Sequence, residues 1–292
     1  MKKTSFSRKI FLFFNYTILT IISVICLYPM LYVLFASLSD SNYLMAHTGL
    51  LFAPIKPNIK AFAAVFKNPM IASGYLNTIF VVGFGTTLSV ALTALGAYVL
   101  SRRNLMLKNA MMAMITFTMF FQGGLIPFYL TVKMLGMYNS LWALVLPSAI
   151  STYNLIIMRT SFASIPVSLE EAAFIEGAGH FKVFVNIILP LSKAIIAVMI
   201  LYYGVAAWNG WFNAMIFLAD REKFPLQLVL REILIQNDTN AMTMGVSSAD
   251  GLSVAESVKY AVIVVATVPI LCIYPFLQKY FVKGVMIGAL KG

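Results

Sequence analysis

Six stretches of this chain, 10–39, 68–101, 109–132, 134–158, 194–219 and 261–278, contain no Asp, Glu, Lys or Arg. Each can supply the roughly 20 residues a helix needs to cross about 30 Å of hydrocarbon. In such a medium every backbone N–H and C=O must be satisfied within the protein, which restricts the spanning segments to helices or a closed barrel. Runs this long and this apolar predict helices. The 292 residues are 61% hydrophobic and 11% charged, too little polar surface to coat a soluble globule. The expected fold is therefore all-α: a polytopic membrane protein with six transmembrane helices, forming a single membrane domain over 1–292.

The net charge of +11 could suggest nucleic acid as a partner, but its distribution points elsewhere. With the N-terminus cytoplasmic, the inner side carries Lys2, Lys3, Arg8, Lys9, Arg102, Arg103, Lys108, Arg159, Lys182, Lys193, Lys279, Lys283 and Lys291, offset only by Glu170, Glu171 and Glu176. The remaining basic and acidic residues nearly cancel on the outer side. The positive-inside rule thus places both termini in the cytoplasm. The first apolar run is longer than a signal h-region and has no clear small-residue cleavage site, so it is expected to be retained. Cys26 and Cys272 lie in apolar windows without CxxC spacing and act as small hydrophobes; His47 and His180 fall on opposite sides, so no metal site is expected.

In chain order, span one covers 10–38 with Pro29 inside it. An outer segment follows, where Asn58 can cap a short helix over 59–66 that Asn68-Pro69 closes. Span two, 73–100, carries Gly83, Gly85 and Gly96 among Ala and Thr, a composition that lets neighbouring helices approach closely. Span three, 109–132, is interrupted by Gln122-Gly123-Gly124 and Pro127, which marks either a solute pathway or a helix kink. Span four, 140–158, has Pro147 midway, and span five, 194–211, ends in Trp208-Asn209-Gly210-Trp211. The two tryptophans read first as interfacial anchors and second as a sugar-stacking platform. Residues 212–257 form a large extracytoplasmic loop with an amphipathic piece, 225–235, and a polar stretch from Gln236. Span six, 258–277, carries Pro269 and Pro275.

Between spans four and five lies the hydrophilic hairpin of 160–188, whose residues 168–191 read SLEEAAFIEGAGHFKVFVNIILPL. Ser168 and Glu171 have capping-box spacing, which predicts a helix starting at Leu169 with Glu170 and Glu171 in its first turn. Ala172 and Ala173 leave a thin surface, and Gly177 and Gly179 break the helix because glycine tolerates positive φ. A second helix follows, with Phe181, Phe184, Val185 and Ile188 on one face and Lys182 and Asn186 opposite, the pattern of a helix along a membrane surface. Leu189-Pro190 then redirects the chain.

Glu171-Ala172-Ala173, Gly177, Ile187 and Leu189-Pro190, at these spacings and in this loop, resemble the EAA loop of binding-protein-dependent ABC importer permeases. The run 123–127 (GGLIP), the run 165–173 (IPVSLEEAA) and the ending from Gln278 resemble the maltose-type carbohydrate permeases. Glu176 stands where that family usually has aspartate, and Ala194 where it often has proline. The resemblance covers nearly the whole chain and implies the type I ABC importer permease fold in a bacterial cytoplasmic membrane. It also implies a second homologous permease, two cytoplasmic ATPase subunits and an extracytoplasmic binding protein that delivers solute.

The resemblance further implies ATPase coupling through Ser168, Leu169, Glu170, Glu171, Ala172, Ala173, Gly177 and Ala178, the helix docking on the ATPase and swinging spans four and five. It also implies that the tail 283–292 contacts the ATPase pair, although those residues equally fit a basic tail beside anionic lipid.

The residues themselves exclude other chemistry. No P-loop pattern and no Gly-Lys dipeptide occur, so ATP and Mg belong to the partner ATPase and no cofactor to this chain. The chain is read as a transporter subunit and not an enzyme: no hydrolase motif is present, and no ionisable group lies deep in a predicted span. Asn77, Gln122, Asn154, Tyr202 and Asn209 could hydrogen-bond a sugar or simply hold helices together. A self-contained channel or secondary carrier, its hairpin only a surface helix, is the alternative reading.

Overall fold

The structure is a computed structural model that describes residues 6–103, 105–236, 257–273 and 275. Among these it is built of helices and turns, with no strand. The chain divides into two compact units: Met1–Pro69 with Glu232–Val268, and Met70–Arg231 with Pro269–Gly292.

In the first unit α1 (Phe6–Ser37) runs through Pro29 without a break. Its body from Ile10 to Leu27 presents exposed Phe, Ile, Leu and Val side chains, as befits a helix whose solvent is lipid. Only its last turns find a core, Ala36 with Leu44 and Leu51, packed by Tyr32, Phe35, Ile55 and Tyr260. The Asp40 carboxylate accepts from Asn42 N at 3.1 Å and caps α2 (Ser41–Ala46). The short helix read from Asn58 is present as α3 (Lys60–Lys67), and Asn58 Oδ1 accepts from Lys60 N at 3.1 Å.

The second unit is organised on α4 (Pro69–Ser101), 33 residues without an internal proline. It is apolar all round, so no stripe chooses its buried face; small residues do. A Cβ on Gly85 would lie 3.6 Å from Val145, and one on Gly96 3.2 Å from Leu155, whereas Gly83 faces open space. A Cβ on Gly74 would come within 3.2 Å of the Leu226 backbone.

The third window is two helices, α5 (Lys108–Phe120) and α6 (Leu125–Met134), bent by 111° across the predicted Gln122–Gly124 interruption, with Gly124 at φ +82°. The fourth corrects the sequence reading more sharply: 140–158 is no single helix but α7 (Trp142–Val145) and α8 (Thr152–Ala163). Pro147 lacks an N–H and its ring crowds the preceding turn. The opened backbone is satisfied from a distance, because Ser151 N donates to Tyr203 Oη at 3.0 Å and Tyr203 Oη shares a 2.7 Å hydrogen bond with Thr93 Oγ1.

Beyond the hairpin, α10 (His180–Leu191) meets α11 (Lys193–Trp208) at 83° across Ser192. The turn falls just past the predicted Leu189-Pro190. Within α10, Phe184–Ile188 widens into a π turn, where Leu189 N reaches back to Phe184 O, one residue ahead of the missing N–H of Pro190. Val183, Phe184 and Ile188 point into the core while Phe181 and Val185 stay exposed, which departs from the face read off the sequence. The chain continues through α12 (Phe212–Phe217), α13 (Leu226–Gln236), which contains the amphipathic piece, and α14 (Ser257–Ile273). The polar stretch after Gln236, the end of span six and the tail 283–292 lie outside the described residues.

Two helices are long and apolar enough to cross a membrane alone, Ser7–Ser37 and Pro69–Ser101, and the two bent pairs raise the number to four. Trp208, read as an interfacial anchor, is instead buried, its ring 6.3 Å from Tyr75, while Trp211 lies under the Arg231 guanidinium at 4.1 Å.

Asn139, at φ +58°, ties the turn after α6 to the segment after α12. Its Oδ1 accepts from Ala219 N and Asp220 N at 3.1 Å each, and its Nδ2 donates to Asp220 Oδ2 at 2.8 Å. Lys223 Nζ closes the cluster on the same carboxylate at 2.8 Å. Hydrogen bonds from Lys223 and then Asn139 hold the Asp220 carboxyl below its usual pKa. A depressed folded-state pKa gives stability that is present above the unfolded value and lost as pH falls through the folded one. Asp220→Asn should therefore lower thermal stability at neutral pH and match the parent at low pH, as read by paired melting curves.

Candidate functional site

The hairpin's first helix, α9 (Val167–Ile175), starts two residues before the predicted position. Its N-cap is Pro166, whose φ of −57° the ring fixes, and no side chain caps it. Ser168 lies inside the helix and the expected capping box is absent. Its C-terminus follows the sequence closely: Gly177 adopts φ +82°, Gly177 N donates to Phe174 O at 3.0 Å, and Ala178 N donates to Ala173 O at 2.9 Å. That pair of bonds is a Schellman ending, with Gly177 at the left-handed position. Gly179, also read as a breaker, is extended and precedes α10.

The distribution of side chains around α9 is inverted. Its buried residue is an acid, Glu170, 4% exposed, while Ile175 is 88% and Leu169 43% exposed, with Phe174, Glu171 and Ala172 also outward. Ala173 and Ala178 turn inward against the core. Glu170 is ion-paired with Arg102, just past the end of α4.

Arg102 is itself built in. Its Nε donates to Tyr98 O at 3.2 Å and to Ser101 Oγ at 3.1 Å, a second guanidinium nitrogen donates to Ser101 Oγ at 2.8 Å, and its guanidinium carbon sits 4.6 Å over the Tyr98 ring. Tyr98 reaches the hairpin's second helix, donating to His180 O at 3.3 Å and packing 5.1 Å from Phe184. Arg159 of α8 donates from Nε to Leu100 O at 3.3 Å. Beneath these polar ties lies one apolar core drawn from α4, α8, α10 and α11, including Ala97, Met158, Phe162, Ile188 and Met199. Removing one partner of so buried an ion pair costs about 3–5 kcal/mol, so Glu170 fixes how α9 sits.

Sequence reading placed both Glu170 and Glu171 in the first turn and gave the capping and motif roles to Glu171 alone. The signal that separates them is periodicity: Glu170 shares its face with Ala173, which packs inward, and Glu171 does not. The partner, Arg102, was visible only as a basic inner loop.

A cavity of about 700 Å³ opens between α4, α10 and α11, lined by Val82, Thr86, Ala91, Phe184, Ile200 and Trp208 among others, with Ile270 and Ile273. Thr86 Oγ1 is buried there without a hydrogen-bond partner. The five candidate pathway residues are not gathered in it. Asn77 Nδ2 donates to Glu222 O at 2.7 Å and Phe224 O at 3.2 Å, a clasp within the protein. Asn154 is buried in α8, Tyr202 is half-buried beside the core, Asn209 ends α11 exposed, and Gln122 is exposed in the break before α6.

A long unbroken apolar helix, two bent helix pairs and a hairpin packed on the end of that helix are the build of a helical membrane protein. No family model matches the chain. It is 39% identical, over 95% of its length and 96% of the relative's, to the polygalacturonan/rhamnogalacturonan transport system permease protein YtcP of Bacillus subtilis. It is 40% identical to Protein LplC of the same organism, over 93% and 91%. A crystal structure of a bacterial ABC transporter that imports the acidic polysaccharide alginate matches with a TM-score of 0.87 at 31% identity, covering 96% of this chain and 100% of that one. The chain belongs to the permease subunits of ABC sugar transport systems. Those relatives are transport permeases, not enzymes.

Proposed function

We propose that this chain is one of two homologous permease subunits of an ATP-driven oligosaccharide importer in a bacterial cytoplasmic membrane. It crosses that membrane six times with both termini inside, receives solute from an extracytoplasmic binding protein, and is driven by two separate ATPase subunits that hold the ATP and Mg. The observation that carries this reading is the inverted helix α9. A short helix that buries its acid and presents Ile175, Leu169 and Phe174 outward leaves its apolar ridge to be covered by a partner. The named solutes of two similar systems, polygalacturonan/rhamnogalacturonan and alginate, make acidic oligosaccharides the first to test. The cavity wall offers a sugar few hydrogen bonds, so contacts fall to exposed Gln122 and Asn209 and to the second permease.

Purified from its host membrane, the chain should retrieve an ATPase and a second permease in fixed proportion. Proteoliposomes of that complex should take up labelled oligosaccharide only with ATP and binding protein present. Uptake by the chain alone on an ion gradient would instead establish a secondary carrier.

A further inference from the structure

Movement in such a hairpin could pass along several helices, and the geometry separates them. α7 and α8 are interrupted between Leu146 and Ser151, α5 and α6 are bent by 111°, and α10 and α11 by 83°. Each of these routes carries a break along its length. α4 alone in its unit runs unbroken for 33 residues among those described, about 50 Å of helix. It is tied by polar contacts at its C-terminal end and again about two turns inside its N-terminal end. At one end Arg102 holds Glu170 of α9, with Tyr98 and Ser101 locking the guanidinium in place. At the other, Asn77 Nδ2 donates to Glu222 O and Phe224 O, and Thr78 Oγ1 accepts from Leu226 N at 2.8 Å. Gly74 brings the Leu226 backbone into contact beside them.

We infer that α4 is a strut that links the ATPase-docking helix to the 222–226 segment at its opposite end, with Glu170 and Arg102 as positioning residues for coupling. This rests on the importer reading above and replaces the expected swing of spans four and five as the main route. Glu170 faces away from the exposed ridge of α9, so its part is to transmit and not to dock. The signal travels both ways: solute-loaded binding protein, arriving near 222–226, is sensed through α4 at the hairpin.

The test uses the assembled complex in proteoliposomes and reads the ratio of ATP hydrolysis with solute-loaded binding protein to hydrolysis without it. Glu170→Gln and Arg102→Gln should each lower that ratio about tenfold, within the usual range of coupling between distant sites, while the ATPase still copurifies. The charge exchange, Glu170→Arg with Arg102→Glu, should recover most of it. Asn77→Ala, far from the hairpin, should lower the ratio in the same direction, and it carries the test should a Glu170 variant fail to insert. Ratios within about twofold of the parent for the single variants or for Asn77→Ala, or an exchange no better than either single change, would overturn the strut. A parent chain that retrieves no ATPase would overturn the importer reading itself, a distinct outcome.

Discussion

Ile175→Asp, and separately Glu171→Lys, should abolish ATP-driven uptake by a chain that still inserts in the membrane. Neither side chain is buried in the protein: Ile175 is 88% exposed and Glu171 faces outward beside it. Folding therefore loses little by either change. Docking loses much, because full burial of an isoleucine is worth about 1.5–3 kcal/mol and a carboxylate in its place adds a desolvation cost of several more. A central interface position of this kind commonly costs 2 kcal/mol or more, and each 1.4 kcal/mol is tenfold in affinity.

Gly177→Asp should act with them. At φ +82° a side chain costs roughly 1–2 kcal/mol, and a Cβ there meets nothing within 4 Å, so the chain itself tolerates it. A complete loss of transport would then report a clash with the docked partner. Were Glu171 merely a helix cap, Glu171→Gln would rescue it, but α9 has no side-chain cap and Glu171 lies beyond its first turn. The measurement is ATPase recovered per permease alongside uptake; unchanged recovery with Ile175→Asp would place the docking face elsewhere.

Tyr203→Phe, the removal of one oxygen atom, should be strongly destabilising. That hydroxyl, on a residue 7% exposed, accepts from Ser151 N in the break between α7 and α8 and meets Thr93 Oγ1, which is fully buried. Deleting it leaves a backbone N–H and a hydroxyl without partners. Each costs about 1–3 kcal/mol when buried; Thr93 is fully buried and Ser151 half-buried. Detergent-titrated unfolding should show a loss of at least 2 kcal/mol, by the same reckoning. In a double-mutant cycle Thr93→Val should add less on the Tyr203→Phe background than on the parent. A loss below about 0.5 kcal/mol, smaller than one typical net hydrogen bond, would show that the break is satisfied by other groups.

These two sites mark where the sequence was legible and where it was not. Charge-free windows located α1 and α4 to within a few residues, since membrane length and backbone satisfaction are local constraints. Gly177 was legible because left-handed backbone singles out glycine, and Asn58 because its acceptor lies two residues from the N–H it binds. Pro147 lies in the middle of a window read as one continuous span, and the backbone it opens is satisfied by Tyr203, far along the chain. The orientation of α9 was decided likewise by Arg102, across the hairpin from it. Ser168 and Glu171 fitted a local rule for a helix start, yet Pro166 begins the helix earlier and leaves that rule unused.

The Glu170–Arg102 pair also bears on how such hairpins can be exchanged between relatives. A segment cut at 160–188 and grafted into another permease would arrive with a buried acid and leave its counter-ion behind at the end of α4. Chimeras that carry residue 102 with the graft should assemble where the bare loop does not, and drift at the two positions through descent should be correlated.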